Sequence, residues 1–158
     1  MLRTMYYAPQ ELRTYFLTCV TARRRHLFEV QANAEPMLDV FQRNRALGRF
    51  QLHAFVVMPD HIHLILTPAQ DVSLEKAIQY IKGGFSFLLK SKFDVWEQGK
   101  NESQIRTHEK FKACKTYIEE NPVRKRIVER ADLYPFSSAG KRDLVDGCPP
   151  WLAQEARG

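Results

Sequence analysis

The apolar residues of this chain switch between two periods, and the switches mark out its elements. "TYFLTCVTA", residues 14–22, is rich in β-branched and aromatic residues and predicts a first strand. Over residues 33–47, Met37, Leu38, Phe41 and Leu47 recur at helical spacing, and Gly48 follows as a stop. "FQLHAFVVM", residues 50–58, predicts a second strand. Pro59 and Asp60 turn the chain and "HIHLILT" returns as a third, closing a hairpin. Ser73 then opens a helix as N-cap, with Leu74, Ala77, Ile78, Ile81, Phe85, Leu88 and Leu89 as its apolar stripe. Gly83 and Gly84 interrupt that stripe, each at a cost of ~1 kcal/mol relative to Ala in a helix interior. A glycine pair there implies close packing or a bend beside a ligand. "DVWEQGKNESQIRT", residues 94–107, reads as a strand or loop excursion, and helices are predicted over 108–120 and 122–130.

The order is strand, helix, strand, strand, helix, strand, then helices. It predicts an α+β fold: a ferredoxin-like antiparallel sheet with helices on one face and a C-terminal helical segment. Ile62, Leu64 and Leu66 would pack beneath the helices, which leaves His61 and His63 on the open face.

Composition narrows the class. A chain of 158 residues suits one domain, here 1–158 with a core of about 14–139 and a tail over 140–158. A hydrophobic content of 44% with 11% aromatics excludes a disordered chain. No apolar run approaches a membrane span. The start, "MLRTMYYAPQELRTYF", carries charge and a proline where a signal peptide needs its apolar segment, so the expected location is cytoplasmic. Cys19, Cys114 and Cys148 are odd in number and lack a CxxC pairing, which argues against a disulfide framework and a cysteine-built zinc site. Lys and Arg outnumber acids 24 to 18, and the pI near 9.3 favours a polyanionic partner. The basic residues cluster at Arg23, Arg24 and Arg25, at Lys110, Lys112 and Lys115, and at Arg124, Lys125 and Arg126. Such runs matter only if the fold brings them to one side.

Candidate chemistry centres on "MPDHIHLIL", residues 58–66. His61 and His63, two apart on a strand, share a face and can bind one divalent metal, given a partner that fixes each tautomer. One such histidine is ordinarily a tolerated surface residue; two on one face of an otherwise Ile and Leu strand favour a site. A second cluster is "KTYIEENPVRKRIV", residues 115–128. Tyr117 and Asn121 are four apart and so neighbours on a helix face. The residues alone leave their roles open: Tyr117 suits a half-buried core aromatic or a nucleophile, and Asn121 before Pro122 suits a helix N-cap better than a ligand.

"LHAFVVMPDHIHLIL", "IQYIKGGFSFLLK" and "YIEENPVRKRIVERADLYPFSSA", in that order and spacing, are similar to the single-tyrosine transposases of the HUH type (His, hydrophobic residue, His). Among these the chain resembles the REP-associated tyrosine transposases, over roughly residues 14–139. The resemblance implies that His61 and His63 bind Mg²⁺ or Mn²⁺, that Asn121 completes the metal site, and that Tyr117 is the nucleophile. The implied substrate is single-stranded DNA, folded as a hairpin of a repetitive palindromic element. The implied product is a 5′-phosphotyrosine link with a free 3′-hydroxyl, later rejoined without ATP. Arg23, Arg24, Arg25, Lys82, Arg124, Lys125 and Arg126 are the expected DNA contacts. A monomer is the expected state.

One stretch departs from the pattern. Relatives continue after "WQ" with a glycine, an aromatic and an acid–basic run ending in "IR"; this chain reads "WEQGKNESQIRT", with Lys100 at the aromatic position. That bears on the edge of the DNA site and leaves the histidines and Tyr117 untouched. Two rival readings are a catalytically silent nucleic-acid-binding module and a metal hydrolase without a covalent intermediate. A silent module has no need of His61, His63 and Tyr117 together.

Overall fold

The computed structural model describes residues 11–99 and 101–153. Lys100, the start of the chain and the last five residues of the expected tail lie outside them. Strands β1 (Thr14–Val20), β2 (Phe50–Met58), β3 (His61–Pro68) and β4 (Asn101–Ile105) form one antiparallel sheet in the order β2-β3-β1-β4. The α+β class and the strand–helix succession read from the sequence are those of the structure.

Helices α1 (Gln31–Ala46) and α2 (Leu74–Leu89) cover one face of the sheet. Under them lie Leu17, Cys19, Leu52, Phe55, Val57, Ile62, Leu64 and Leu66. Ser73 caps α2 by accepting from the Lys76 amide at 3.0 Å, as its hydroxyl predicts. The glycine pair within α2 divides its work. A Cβ on Gly84 would stand 3.2 Å from Cγ1 of Val40, whereas one on Gly83 would meet nothing within 4 Å. Gly84 is therefore a point of close approach between α1 and α2, and the helix runs through both glycines unbroken.

The second face is not open. Helix α3 (His108–Glu119) places Phe111, Cys114 and Ile118 against Ala54, Val56 and Ile65. An apolar stripe at that spacing must be buried, and the sheet's second face supplies the surface. That is why β2 and β3 are buried almost residue by residue instead of alternating. A bulge between Leu52 and Ala54 aids this, since it shifts the pleat so that Phe55 and Val57 join Leu52 beneath α1 and α2.

After α3 the sequence predicts a helix over 122–130, but only the single turn α4 (Asn121–Arg124) forms. Arg126 takes a left-handed φ of 60° and ends it. The stretch has no apolar stripe to sustain a longer helix: Asn121 and Pro122 are buried, while Ile127 stays 46% exposed. The chain then runs along the outer edge of β2. Val57 N donates to Phe136 O, Ser138 N donates to Phe55 O, and the Tyr134 hydroxyl donates to Val57 O at 2.6 Å. This screens an edge that would otherwise be open to pairing. Farther on, Asp146 accepts a fork from Arg45, at 3.2 Å to each carboxylate oxygen, and accepts the Leu52 amide at 2.8 Å. Leu152, on the last turn α5 (Pro150–Ala153), is buried against the second core.

His53 joins this terminal segment to the sheet. Its Nδ1 donates to Gly147 O at 2.8 Å, its Nε2 accepts from Thr67 Oγ1 at 2.9 Å, and Thr67 meets Thr14 at 2.7 Å. Burial, more than anything else around it, holds its pKa below the ordinary 6.5.

Two outcomes are expected. Gly83→Ala should raise stability by up to ~1 kcal/mol through helix propensity, while Gly84→Val should lower it by about 1–3 kcal/mol through overpacking against Val40, both read by urea denaturation. Because the folded chain keeps His53 neutral and the unfolded chain protonates it, stability is fully present above pH ~6.5 and falls as acid is added below it. The drop in urea midpoint between neutral pH and pH ~5 should therefore be smaller in His53→Gln; an unchanged drop would place the acid sensitivity in other groups.

Candidate active site

The site is built on the β2–β3 hairpin. Met58 pairs with His61 across a two-residue turn at Pro59 and Asp60, and His63 sits between Val56 and Thr18 on the flanking strands. Period-two alternation puts both imidazoles on the α3 side of the sheet, with ring centroids 4.7 Å apart. His63 is only 6% exposed. Each ring is anchored through Nδ1: His61 to Asp60 Oδ1 at 2.7 Å, and His63 to Thr18 Oγ1 at 2.8 Å. Burial, followed by the positive potential of His61 and Arg124, pushes the His63 pKa down to about 3. His63 is thus a neutral ring with a lone pair to offer at neutral pH.

Tyr117 lies on α3, two residues before its end, and is 48% exposed. Its centroid is 5.6 Å from that of His63 and 6.1 Å from that of Phe16, which in turn sits 5.3 Å from His63. The phenol is therefore an exposed aromatic beside the histidine pair and not a core residue. The Arg124 guanidinium lies over the ring at 4.1 Å, while its Nη2 donates to the Tyr117 carbonyl at 2.7 Å. Phe16, Thr18, His63, Ser103, Lys110 and Tyr117 line a hollow of about 430 Å³. A larger one, about 550 Å³, opens at the far end of the sheet around Gly48, Phe50 and Pro68, away from these groups.

Asn121 is 3% exposed and does not cap a helix. The N-cap of α4 is Glu120, which itself stays helical at φ −89° and ψ −1°, so α3 runs almost directly into α4. Among the described residues the Asn121 side chain makes no hydrogen bond, which leaves its amide oxygen available as a donor atom to a metal.

The basic residues divide. Arg24 Nη1 pairs with Asp60 Oδ2 at 3.2 Å, and the Arg25 guanidinium donates to the Asp94 and Ala22 carbonyls. Arg23 is exposed, and both Arg23 and Arg24 hold left-handed φ angles, 56° and 51°. Lys82 Nζ reaches Glu97 O at 3.5 Å and lines a small polar hollow of about 160 Å³ with Thr18, Arg24, Gln98 and Asn101. Lys125 and Arg126 are exposed just beyond Arg124. Arg24 thus lies at the histidine turn and Arg124 at the tyrosine. Phe16, Thr18, Asp60 and Lys110 also belong to this site. Asp60 carried a signal in the sequence, being next to His61, and Lys110 stood in a basic cluster; Phe16 and Thr18 depend on strand register and helix docking.

This arrangement, an HxH strand facing a tyrosine helix across one sheet, agrees with what the comparisons with known proteins find. A protein family described as "Transposase IS200 like" matches residues 10–121. The chain belongs to this family. Within it, the chain is 31% identical over 102 residues to the REP-associated tyrosine transposase of Escherichia coli (strain K12), a match over 64% of this chain and 61% of that protein. A solved REP-associated tyrosine transposase bound to a REP hairpin superposes with a TM-score of 0.70 at 27% identity, over 85% of this chain and 82% of that one. A putative transposase from Deinococcus radiodurans R1 shares the fold, with a TM-score of 0.52 at 21% identity over 70% of this chain and 91% of that one.

IS200-like transposases of the HUH type are generally metal-dependent. Among the described residues no three His, Cys, Asp or Glu side chains gather as a complete ligand set. The donors present nonetheless fit two of the ligands. Both imidazoles have Nδ1 engaged, so both Nε2 atoms remain for a cation. The rest must come from groups outside that class, such as an amide, a phosphate or water. Among the described residues no helix is long and apolar enough to cross a membrane.

Proposed function

We propose that this IS200-like transposase cleaves and rejoins single-stranded DNA through a covalent link to Tyr117, on hairpins formed by repetitive palindromic elements. The observation that carries the reading is the placement of the Tyr117 ring 5.6 Å from His63, on the sheet face that holds the histidine pair. Buried tyrosines are common; one left half exposed beside two imidazoles is suited to chemistry. The hairpin substrate follows from the solved relative, which holds a REP hairpin.

His61 and His63 hold the cation, Mg²⁺ or Mn²⁺, with Asn121 as a further ligand. When bound, such an ion supplies Lewis-acid stabilisation of charge on a non-bridging phosphate oxygen. The protein's own part is positioning. Arg23, Lys125 and Arg126 grip backbone phosphates, and Arg124 holds the strand at the scissile bond while keeping the Tyr117 ring in place. Tyr117 passes its phenolic proton to solvent and attacks phosphorus in line; the bond from phosphorus to the 3′-oxygen breaks, and that oxygen takes a proton from solvent and leaves as a hydroxyl. The phosphotyrosine keeps the energy of the broken bond, so an incoming 3′-hydroxyl reverses the step and joins strands without a nucleotide cofactor. The working unit is a monomer acting in the cytoplasm.

The test uses a single-stranded hairpin labelled at its 5′ or its 3′ end and incubated with Mn²⁺. A protein adduct carrying the 3′ fragment is expected, and Tyr117→Phe should abolish it while leaving hairpin affinity nearly unchanged. Cleavage without an adduct would indicate a hydrolase, binding alone a silent module, and an adduct that survives in Tyr117→Phe a different nucleophile. Phosphate gripping has its own signature: Lys125→Ala should lower the slope of log affinity against log salt by about 0.7, the increment of one single-strand phosphate contact.

A further inference from the structure

We propose that Asp60 and Thr18 are the positioning residues of the histidine pair, each holding one imidazole by Nδ1 so that both Nε2 lone pairs face the same space. The inference rests on reading His61 and His63 as metal ligands, and it adds two residues to which neither the family motif nor the comparisons assign a part.

An ionised carboxylate can only accept a hydrogen bond. At 2.7 Å, Asp60 Oδ1 therefore fixes the proton of His61 on Nδ1 and leaves Nε2 bare. Asp60 is also immobilised from behind. Thr21 donates to its carbonyl through both backbone N and Oγ1, at 3.0 Å each, and Arg24 holds its second carboxylate oxygen at 3.2 Å. His63 receives the same treatment from another strand. Thr18 is its direct partner in the β1–β3 register, and its hydroxyl lies 2.8 Å from Nδ1, where it accepts the ring proton when His63 carries it on Nδ1. The carboxylate excludes the other tautomer of His61, and with the Thr18 hydroxyl accepting, His63 takes the same one. Without them each neutral imidazole divides its proton between two nitrogens, and half of the pair faces a cation with an N–H in place of a lone pair.

The arrangement also separates holding from touching. Neither Asp60 nor Thr18 presents the atom that meets the cation; each meets the opposite side of a ring that does. Partners of this kind raise ligand basicity and fix ring orientation, and their loss ordinarily weakens metal binding by 10–100-fold.

The experiment titrates Mn²⁺ alone, without DNA, into the full-length protein and follows the free-ion resonance signal. Asp60→Ala and Thr18→Val should each weaken Mn²⁺ binding by about 10–100-fold, with Thr18→Ser restoring wild-type affinity. Nitrogen NMR of the imidazoles gives a readout that a purely structural role would not move: both rings carry the proton on Nδ1 in the wild type, and the ring that has lost its partner becomes a tautomer mixture. The proposal is overturned if Asp60→Ala and Thr18→Val bind Mn²⁺ as the wild type does, or if either wild-type ring carries its proton on Nε2. A variant with both His61→Ala and His63→Ala keeps the two ideas apart. If it loses Mn²⁺ while the Asp60 and Thr18 variants keep it, the positioning role fails and the metal reading stands; if it binds Mn²⁺ as tightly as the wild type, both fail.

Discussion

The site depends on one apolar seam, that between α3 and the second face of the sheet. Phe111, Cys114 and Ile118 have no stable alternative to burial, and Ala54, Val56 and Ile65 offer a surface small enough for a helix to lie close. Docking by that seam fixes the height and rotation of α3, and with them the distance between the Tyr117 ring and His63. The histidines are set independently, by the register of β3 against β1 and β2. The chemistry sits where a helix and a strand, each positioned by its own apolar contacts, converge.

The neighbourhood sharpens what those side chains can do. Burial keeps His63 unprotonated, Asp60 and Thr18 take the inner nitrogen of each ring, and Arg124 lies over the phenol that would attack. A phosphate drawn to this face would meet its positive charge on arginines beside the imidazoles and the phenol. The structure has that distribution, with Arg24 at the histidine turn and Arg124 at the tyrosine.

Much of this was legible in the residues. The hairpin, the Ser73 cap and the stripes of the two long helices follow from period and turn chemistry, and both histidines and Tyr117 stand in motifs. What the sequence hid depended on distance along the chain. The β2 bulge at His53 breaks a simple alternation, so residues 54–58 look apolar on both sides without saying which side each takes. The helix predicted over 122–130 shrinks to a turn, with Arg126 in the left-handed region just beyond it. The tail beyond residue 140 gave no readable motif, yet the Asp146 carboxylate takes the Leu52 amide of β2; a side chain bonded to backbone leaves no pairing pattern in the sequence. Thr18 could not be connected with His63 until the register of two strands 45 residues apart was known. Asn121 looked like a cap on local grounds, and the uninterrupted passage through Glu120 shows why it is not.

That passage has a mechanical corollary. A loop between the phenol and the amide would let each swing on its own hinge. With Glu120 alone between the two helices, and itself in the right-handed region, a single residue's freedom separates the helix of Tyr117 from the turn of Asn121.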